Sequence, residues 1–277
     1  MIDVGANAGL VSRQLLAAPA APFVGADCFE PDPHNHALLA HNLAPFAGVR
    51  THEAALSDAE GEAELFRGAR NAGDISLAPG ARLRAQGELQ RRVVRLLDGQ
   101  RFGSDLLAAL PAEVRLVWKS DTQGHDIRIV NALSDALWER VDAALIEVRS
   151  VPLETAARER FLNIVTRFPH CHSIGRGLRR FGPDELRAFL ARESEQELDL
   201  LLAHENGVRV HFQEMRVRVD SCRGSLTHRP RGKMTLTPFS MVADCAPART
   251  IAITQAATSV TVSNRSSGPK HATGQPV

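Results

Sequence analysis

Short apolar runs alternate with stretches of helical periodicity along residues 1–205, and this alternation restricts the possible folds more than any other feature. The apolar runs predict buried strands at residues 1–4, 23–29, 49–56, 114–120, 143–148, 172–174 and 198–203. The stretches between them predict helices at residues 10–18, 33–43, 127–136, 154–168 and 183–191. Because alternating strands and helices build parallel sheets, we predict an α/β fold: an open, mostly parallel sheet with helices on both faces.

Two parts of the chain depart from this rhythm. Residues 61–100 are rich in Gly, Arg and Gln, and their poor periodicity predicts only short extra strands near 65–66 and 93–96. Such a segment is either an insertion that shapes a pocket or an ordinary surface loop. Residues 206–277 carry ten Lys/Arg against three Asp/Glu. We therefore predict one domain over 1–205, followed by a basic, irregular and poorly ordered C-terminal tail over 206–277.

Composition and charge argue against several classes of protein. The formal net charge of +1 disfavours a general nucleic-acid binder. The sequence has no run of 18 apolar residues and no signal-peptide pattern, so we expect no membrane partner. The four cysteines form no CxxC pair, which is typical of reduced thiols in a cytoplasmic protein. Cys171 lies between two histidines, but no second ligand pair accompanies it, and we predict no metal site.

The sequence IDVGANAGL places a glycine-rich turn between the first strand and the first helix. Asp3 ends the strand, and Gly5 and Gly9 permit a tight turn. Such a turn is often merely structural, but it also brings backbone N–H groups beside a ligand's carboxylate, and Asp3 suits a cationic group. S-adenosylmethionine carries both a carboxylate and an ammonium. A dinucleotide site needs G-x-G-x-x-G instead, and Asn7 and Leu10 occupy its second and third glycine positions.

A second acidic motif, CFEPDPHNHALLAHNL, begins within the next predicted strand. Glu30 ends that strand, 21 residues after Gly9. An acid at this position can accept hydrogen bonds from both ribose hydroxyls of a nucleoside. Asp32 precedes Pro33 and suits the N-cap of the following helix. We expect Glu30 to bind a ligand and Asp32 to cap the helix, with capping by Glu30 as the alternative.

Two more acids end later strands of the predicted sheet. Asp121 follows the strand in LVWKSDTQGHDIRIVNAL, and Gly124 then opens a helix. Glu147 closes the strand in ALIEV. Because ligands of open α/β sheets bind at the carboxyl ends of the strands, we expect both acids at the same edge as Asp3 and Glu30.

These segments together resemble the FkbM-type methyltransferases. That family has a D-x-G-A-N-x-G start, an F-E-P-x-P motif, an A-L-S-D-x-x-G segment (here AALSDAEG), a K-x-D-x-x-G-x-E motif and a last strand that ends in Glu. The resemblance covers about residues 1–205. It implies a class I methyltransferase fold, which is Rossmann-like with a seven-stranded sheet, and S-adenosylmethionine as cofactor. It also implies O-methylation of a hydroxyl on a sugar or natural product.

The resemblance assigns roles to particular residues. The expected cofactor-binding residues are Asp3, Gly5, Asn7, Gly9, Glu30, Ser57 and Asp58. Lys119 and Glu147 are expected to line the substrate pocket. The sequence KSDTQGHD departs from the family motif at Ser120, Gln123 and Asp126, which leaves the choice of substrate open. Family members usually have more chain before the first motif, so we expect an N-terminally truncated domain or a mis-assigned start.

A hydroxyl acceptor needs a group that removes its proton, and Asp121 and His125 are the candidates. Each has an alternative role, because Asp121 can orient the cofactor and His125 can cap its helix. The expected partner is a small-molecule or glycan acceptor, and the sequence leaves the oligomeric state open. Two other functions stay open: a non-catalytic, truncated methyltransferase remnant and a nicotinamide-dependent oxidoreductase.

Overall fold

A computed structural model describes residues 1–17, 23–68, 75–77, 80–85, 87–175, 177–192, 194–204, 209–212, 239–245 and 249–255. The strands among them are β1 (Ile2–Val4), β2 (Ala26–Phe29), β3 (Val49–His52), β4 (Ala55–Ser57), β5 (Gly61–Arg67), β6 (Ile75–Ser76), β7 (Gln90–Asp98), β8 (Leu116–Ser120), β9 (Val141–Arg149), β10 (His170–Ile174), β11 (Leu178–Arg180), β12 (Glu197–Ala203), β13 (Arg209–Phe212), β14 (Phe239–Cys245) and β15 (Arg249–Gln255). The helices are α1 (Leu10–Ala17), α2 (Pro33–Leu43), α3 (Ala81–Arg84), α4 (Gly99–Ala109), α5 (Asp126–Ala132), α6 (Asp135–Trp138), α7 (Thr155–Val165) and α8 (Pro183–Leu190).

The main sheet has eight strands in the order β11-β10-β12-β9-β8-β1-β2-β3. Strands β3, β2, β1, β8 and β9 pair in parallel. Strand β12 runs antiparallel to β9, and β10 runs antiparallel to β12, so β10 has the same direction as β9. The predicted α/β fold with a mostly parallel sheet is therefore confirmed.

Buried side chains on both faces of the sheet explain why the central strands are almost wholly apolar. Successive residues of a strand point to opposite faces. Ile2 and Val4 share one apolar cluster with residues of α5, α7 and α8, such as Ile129, Phe161 and Leu186. Met1 and the strand β2 residues Ala26 and Cys28 belong to a second cluster with Leu15, Leu39 and Leu43 of α1 and α2. Helices therefore cover both faces of the sheet, as predicted.

The start of α2 follows from its sequence. The Asp32 carboxylate accepts hydrogen bonds from the backbone N–H groups of His34 and Asn35, both at 3.0 Å. Pro33 occupies the first helical position, where no hydrogen-bond donor is needed. The predicted N-cap role of Asp32 is confirmed.

The stretch 61–100 contains more regular structure than its sequence predicted. Strands β4, β7, β5 and β6 form a second, four-stranded sheet in that order. The strands predicted near 65–66 and 93–96 are longer than expected. Strands β5 and β7 pair antiparallel from Gly61↔Leu96 to Arg67↔Gln90. Few of their side chains are buried, notably Leu65 and Val94. Because this sheet is mostly exposed, its strands contain few apolar residues, and the sequence lacks the alternating apolar pattern that predicts a strand.

Other elements also differ from the prediction. The single strand predicted at 49–56 is divided into β3 of the main sheet and β4 of the second sheet. In the predicted irregular tail, strands β13, β14 and β15 pair antiparallel. The rest of that tail lies outside the described residues, so the prediction that the tail is poorly ordered falls there too.

Within the described part of the chain, no helix has both the length and the apolar character needed to cross a membrane.

Candidate functional site

Most of the predicted site residues lie at the carboxyl edge of the main sheet, whereas Ser57 and Asp58 lie at the end of β4 in the second sheet. The chain leaves β1 for β2 on one side, whereas β8 lies on the other side, so the sheet order reverses between β1 and β8. A crevice opens at such a switch point in α/β sheets, and ligands bind there. The loop after β1, the residues after β2 and the loop after β8 all lie around this point. The fold therefore brings the motifs after β1, β2 and β8 to one edge.

The loop after β1 depends on residues with left-handed backbone. Gly5, Asn7 and Gly9 have φ values of +73°, +52° and +75°. A Cβ atom on Gly5 would lie 2.0 Å from the carbonyl oxygen of Asp121, so glycine permits the loops after β1 and β8 to touch. A Cβ atom on Gly9 would lie 2.6 Å from Leu39 of α2. These glycines are needed for close packing as well as for their backbone angles.

The amide groups of this loop have acceptors within the chain. The pairs are Gly5 N to Phe29 O (3.0 Å), Ala6 N to Phe29 O (2.9 Å), Asn7 N to Glu30 Oε2 (2.8 Å), Ala8 N to Asn7 Oδ1 (2.7 Å) and Gly9 N to Ala6 O (2.9 Å). The predicted binding of a ligand's carboxylate by these amides stays a prediction, because each amide already has an acceptor in the chain. Only the acceptor of Ala8 is an exposed side chain, that of Asn7. A ligand oxygen can replace this acceptor most easily.

Asp3 and Lys119 form a buried ion pair beneath the loop. The distance from Lys119 Nζ to Asp3 Oδ1 is 2.9 Å, and Nζ also donates to the carbonyl oxygen of Gly5 at 2.9 Å. The other Asp3 oxygen accepts a hydrogen bond from Ser12. Burial alone lowers the pKa of Lys119, but the attraction of Asp3 and other carboxylates raises it overall. The predicted contacts of Asp3 with a cationic ligand and of Lys119 with substrate stay predictions, since each residue already has a partner in the chain.

Glu30 lies between the loop after β1 and the start of α2. Its Oε2 accepts from Asn7 N at 2.8 Å, and its Oε1 accepts from Asp32 N at 2.9 Å. Burial raises the pKa of Glu30 to about 7, although these two hydrogen bonds oppose the change. The carboxylate thus joins two loops and keeps lone pairs for further donors, because a carboxylate offers about four acceptor positions.

Gln123 links the acids at the ends of β8 and β9. It has a left-handed backbone, with φ of +56°. Its Nε2 donates to Asp121 Oδ1 at 3.1 Å and contacts both carboxylate oxygens of Glu147 at 3.2 Å. Its Oε1 accepts from Arg149 Nη2 at 3.0 Å. An amide can serve both a carboxylate and a guanidinium, which an acid at this position cannot do.

The same edge brings several acidic side chains close together. Burial, followed by the charges of Asp121 and Asp126, raises the pKa of Glu147 to about 9. Burial followed by Asp121 raises the pKa of Asp126 to about 6. Asp199 lies opposite Glu147 on the antiparallel strand β12. Asp121 itself is exposed.

His125 belongs to a different group of side chains. It precedes α5 but makes no side-chain capping bond there, so the structure does not support its alternative role as a cap. Its Nε2 lies 2.9 Å from the hydroxyl of Ser57, at the end of β4. Burial, followed by the charge of Arg128, lowers the pKa of His125 to about 4, and Asp58 opposes the change. The imidazole is therefore neutral near pH 7.

Sequence reasoning missed several residues of this edge. Arg149 and Asp199 carry no motif, and only the pairing of β9 with β12 brings Asp199 beside Glu147. In the sequence, Gln123 stands out only as a departure from the motif of the family that the chain resembles. Its location in the KSDTQGHD sequence, between Asp121 and Gly124, was the available signal. Among the described residues, no group of three or more His, Cys, Asp or Glu side chains is arranged to hold a metal ion.

No protein-family model matches this chain, and no curated protein matches it significantly. The geometry of the carboxyl edge is therefore the basis for assigning a function.

Proposed function

We propose that this protein is an S-adenosylmethionine-dependent methyltransferase that methylates a hydroxyl on a sugar or natural product. One observation carries the proposal: the left-handed loop of Gly5, Asn7 and Gly9 lies at the switch point and is bonded directly to Glu30. A glycine-rich loop after the first strand, followed by an acid after the second, is the arrangement that binds a nucleoside-containing ligand.

The residues present fit this cofactor. Asn7 Oδ1 can leave the amide of Ala8 to a ligand's carboxylate, because Asn7 is exposed. Glu30 has unused acceptor capacity for ribose hydroxyls while it holds the two loops together. When bound, S-adenosylmethionine supplies a methyl group already activated for transfer. The protein's own work is then alignment, exclusion of water and removal of the acceptor's proton.

The sheet order supports a methyltransferase over a nicotinamide-dependent oxidoreductase. The usual dinucleotide-binding sheet has the order 3-2-1-4-5-6. Here the antiparallel strand β12 lies between β9 and β10. Counted from β3, the sheet therefore has seven strands before the short edge strand β11. This agrees with the seven-stranded sheet that the resemblance implies. Asn7 and Leu10 in place of glycines argue in the same direction.

The two candidates for removing the acceptor's proton, His125 and Asp121, suit different roles. His125 is half-buried, and its Nε2 is engaged by Ser57, so its other ring nitrogen can accept a proton from a ligand. Asp121 is exposed and lies within a group of carboxylates, which suits it to orient donors on a bound ligand. We assign the base to His125 and the orienting role to Asp121.

Calorimetric binding tests the proposal directly. We expect S-adenosylmethionine and S-adenosylhomocysteine to bind with micromolar affinity and NAD not to bind. Glu30→Ala should weaken binding at least about tenfold, since it removes an acceptor worth about 1.4 kcal/mol. Glu53→Ala removes an exposed carboxylate beyond the neighbouring strand β3 and should have no effect.

Three results would count against the proposal. They are no binding by the folded chain, binding of NAD in place of the methyl donor, and equal loss in both variants. If the cofactor binds, transfer of labelled methyl to a panel of sugars and hydroxylated natural products then distinguishes an enzyme from a non-catalytic remnant.

A further inference from the structure

Four side chains next to the proposed site form a continuous chain of polar contacts. His125 Nε2 lies 2.9 Å from Ser57 Oγ, and Ser57 Oγ donates to Asp58 Oδ1 at 3.1 Å. Arg128 Nε lies 3.6 Å from Asp58 Oδ2. Ser57 is 1% exposed, so water does not compete for its hydroxyl. The contacts run from a guanidinium through a carboxylate and a hydroxyl to an imidazole.

Proton counting determines the direction of these hydrogen bonds. A hydroxyl has one proton, and an ionised carboxylate can only accept. The Ser57 proton is therefore directed to Asp58, whose negative charge is balanced by Arg128. Ser57 Oγ must then accept its second bond from His125, and Nε2 is the nitrogen that carries the ring proton. In a neutral imidazole the other nitrogen, Nδ1, then has the lone pair.

We propose that Ser57 and Asp58 are positioning residues that hold His125 as the Nε2–H tautomer, so that Nδ1 receives the acceptor's proton. The tautomer rests on the contacts alone, whereas the proton transfer rests on the proposed methyltransferase function. In that step the acceptor O–H bond breaks and its proton joins Nδ1, which makes His125 an imidazolium. The oxygen's electron pair forms the bond to the methyl carbon as the carbon–sulfur bond breaks, with that pair left on sulfur.

Two observations agree with this assignment. Burial lowers the pKa of His125 to about 4, so the ring is neutral and has a definite tautomer near pH 7. Among the described residues, Nδ1 of His125 has no hydrogen-bond partner, which leaves it for a ligand. The assignment also changes the expected role of Ser57 and Asp58. The resemblance assigned them to the cofactor, and the contacts direct them to His125.

Nitrogen NMR of the imidazole rings tests the tautomer in the full chain without cofactor. With ¹⁵N-histidine labelling, His125→Gln identifies the His125 signals among those of the 11 histidines. We expect a protonated Nε2 and an unprotonated Nδ1 at pH 7. In Asp58→Asn the one amide oxygen faces Arg128 and the NH₂ group faces Ser57, so the hydroxyl donates to His125. The two nitrogen signals should then exchange positions.

A second variant and a control complete the experiment. Ser57→Ala should shift both nitrogen signals toward an average, because Nε2 loses its fixed acceptor. Asp105→Asn, an exposed change on α4, should leave the His125 signals unchanged. A protonated Nδ1 in the unmodified chain, or unchanged signals in both site variants, would overturn the proposal. The expected tautomer with no cofactor binding would instead overturn the methyltransferase function and leave the tautomer assignment standing.

Discussion

At the scale of single residues, the buried ion pair of Lys119 and Asp3 stabilises the site. The Lys119 side chain is 11% exposed and that of Asp3 is 1% exposed, so neither charge is solvated by water. Removing one partner of such a pair leaves the other charge buried and uncompensated. The pair fastens β1 to β8 below the loop of Gly5, and its first role is to hold the site in shape.

We predict that Lys119→Met lowers the free energy of unfolding by about 3–5 kcal/mol, measured by urea denaturation at pH 7. Arg115→Met is the matched control, because Arg115 pairs with Asp142 at 2.8 Å in a much more exposed position. It should cost less than about 1 kcal/mol. Adding Asp3→Asn to Lys119→Met should restore part of the loss. Equal effects of Lys119→Met and Arg115→Met would contradict the buried pair.

At the scale of elements, the site depends on how closely the loops after β1 and β8 approach. Asp121 N donates to Val4 O at 3.0 Å, and the carbonyl oxygen of Asp121 occupies the space beside Gly5. The loop after β2 is attached through Glu30 in the same way. The three loops therefore form one connected edge, in which a change in one alters the others.

Gly5→Ala tests this contact, with Gly87→Ala as the matched control. Both glycines have positive φ, +73° and +98°, but nothing lies within 4 Å of a Cβ atom on Gly87. Gly87→Ala should cost about 1–2 kcal/mol from backbone strain alone. Gly5→Ala adds a clash with backbone, so we expect a loss at least roughly twice as large in thermal unfolding. A similar cost at both positions would show that the loops after β1 and β8 do not touch.

At the scale of the whole molecule, the acids gathered at one edge make stability depend on pH. Glu30, Asp126 and Glu147 have pKa values of about 7, about 6 and about 9 in the folded chain, all raised mainly by burial. Between the ordinary and the raised pKa, the folded state binds more protons than the unfolded state. Stability from these groups therefore falls as pH rises through that interval.

Glu147→Gln isolates the largest of these contributions. The ordinary pKa of Glu147 is 4.5 and its raised pKa is about 9. We expect the variant to gain stability relative to the unmodified chain as pH rises from 5 to 9. The measurement is urea denaturation at several pH values, and Glu113→Gln, an exposed change, should follow the unmodified chain at every pH. A relative stability of Glu147→Gln that is constant with pH would contradict the raised pKa.

The predictions that succeeded from sequence rest on local physics. A buried strand is visible at residues 1–4 because its apolar side chains serve both faces, and Asp32–Pro33 marks a helix start through capping alone. The predicted strand at 49–56 was wrong as one unit, because its two halves pair with different sheets. Nothing in the local pattern marks a change of sheet between His52 and Ala55.

The sequence by itself determined the α/β class, the alternation of elements and the arrival of Asp3, Glu30, Asp121 and Glu147 at one sheet edge, because periodicity and strand direction are local properties. Tertiary structure alone decided which partners these acids meet. Asp3 pairs with Lys119, which is 116 positions away, and His125 contacts Ser57, which is 68 positions away. Pairing across such distances depends on strand order and on the burial of charge, and neither quantity is encoded in a short stretch of chain.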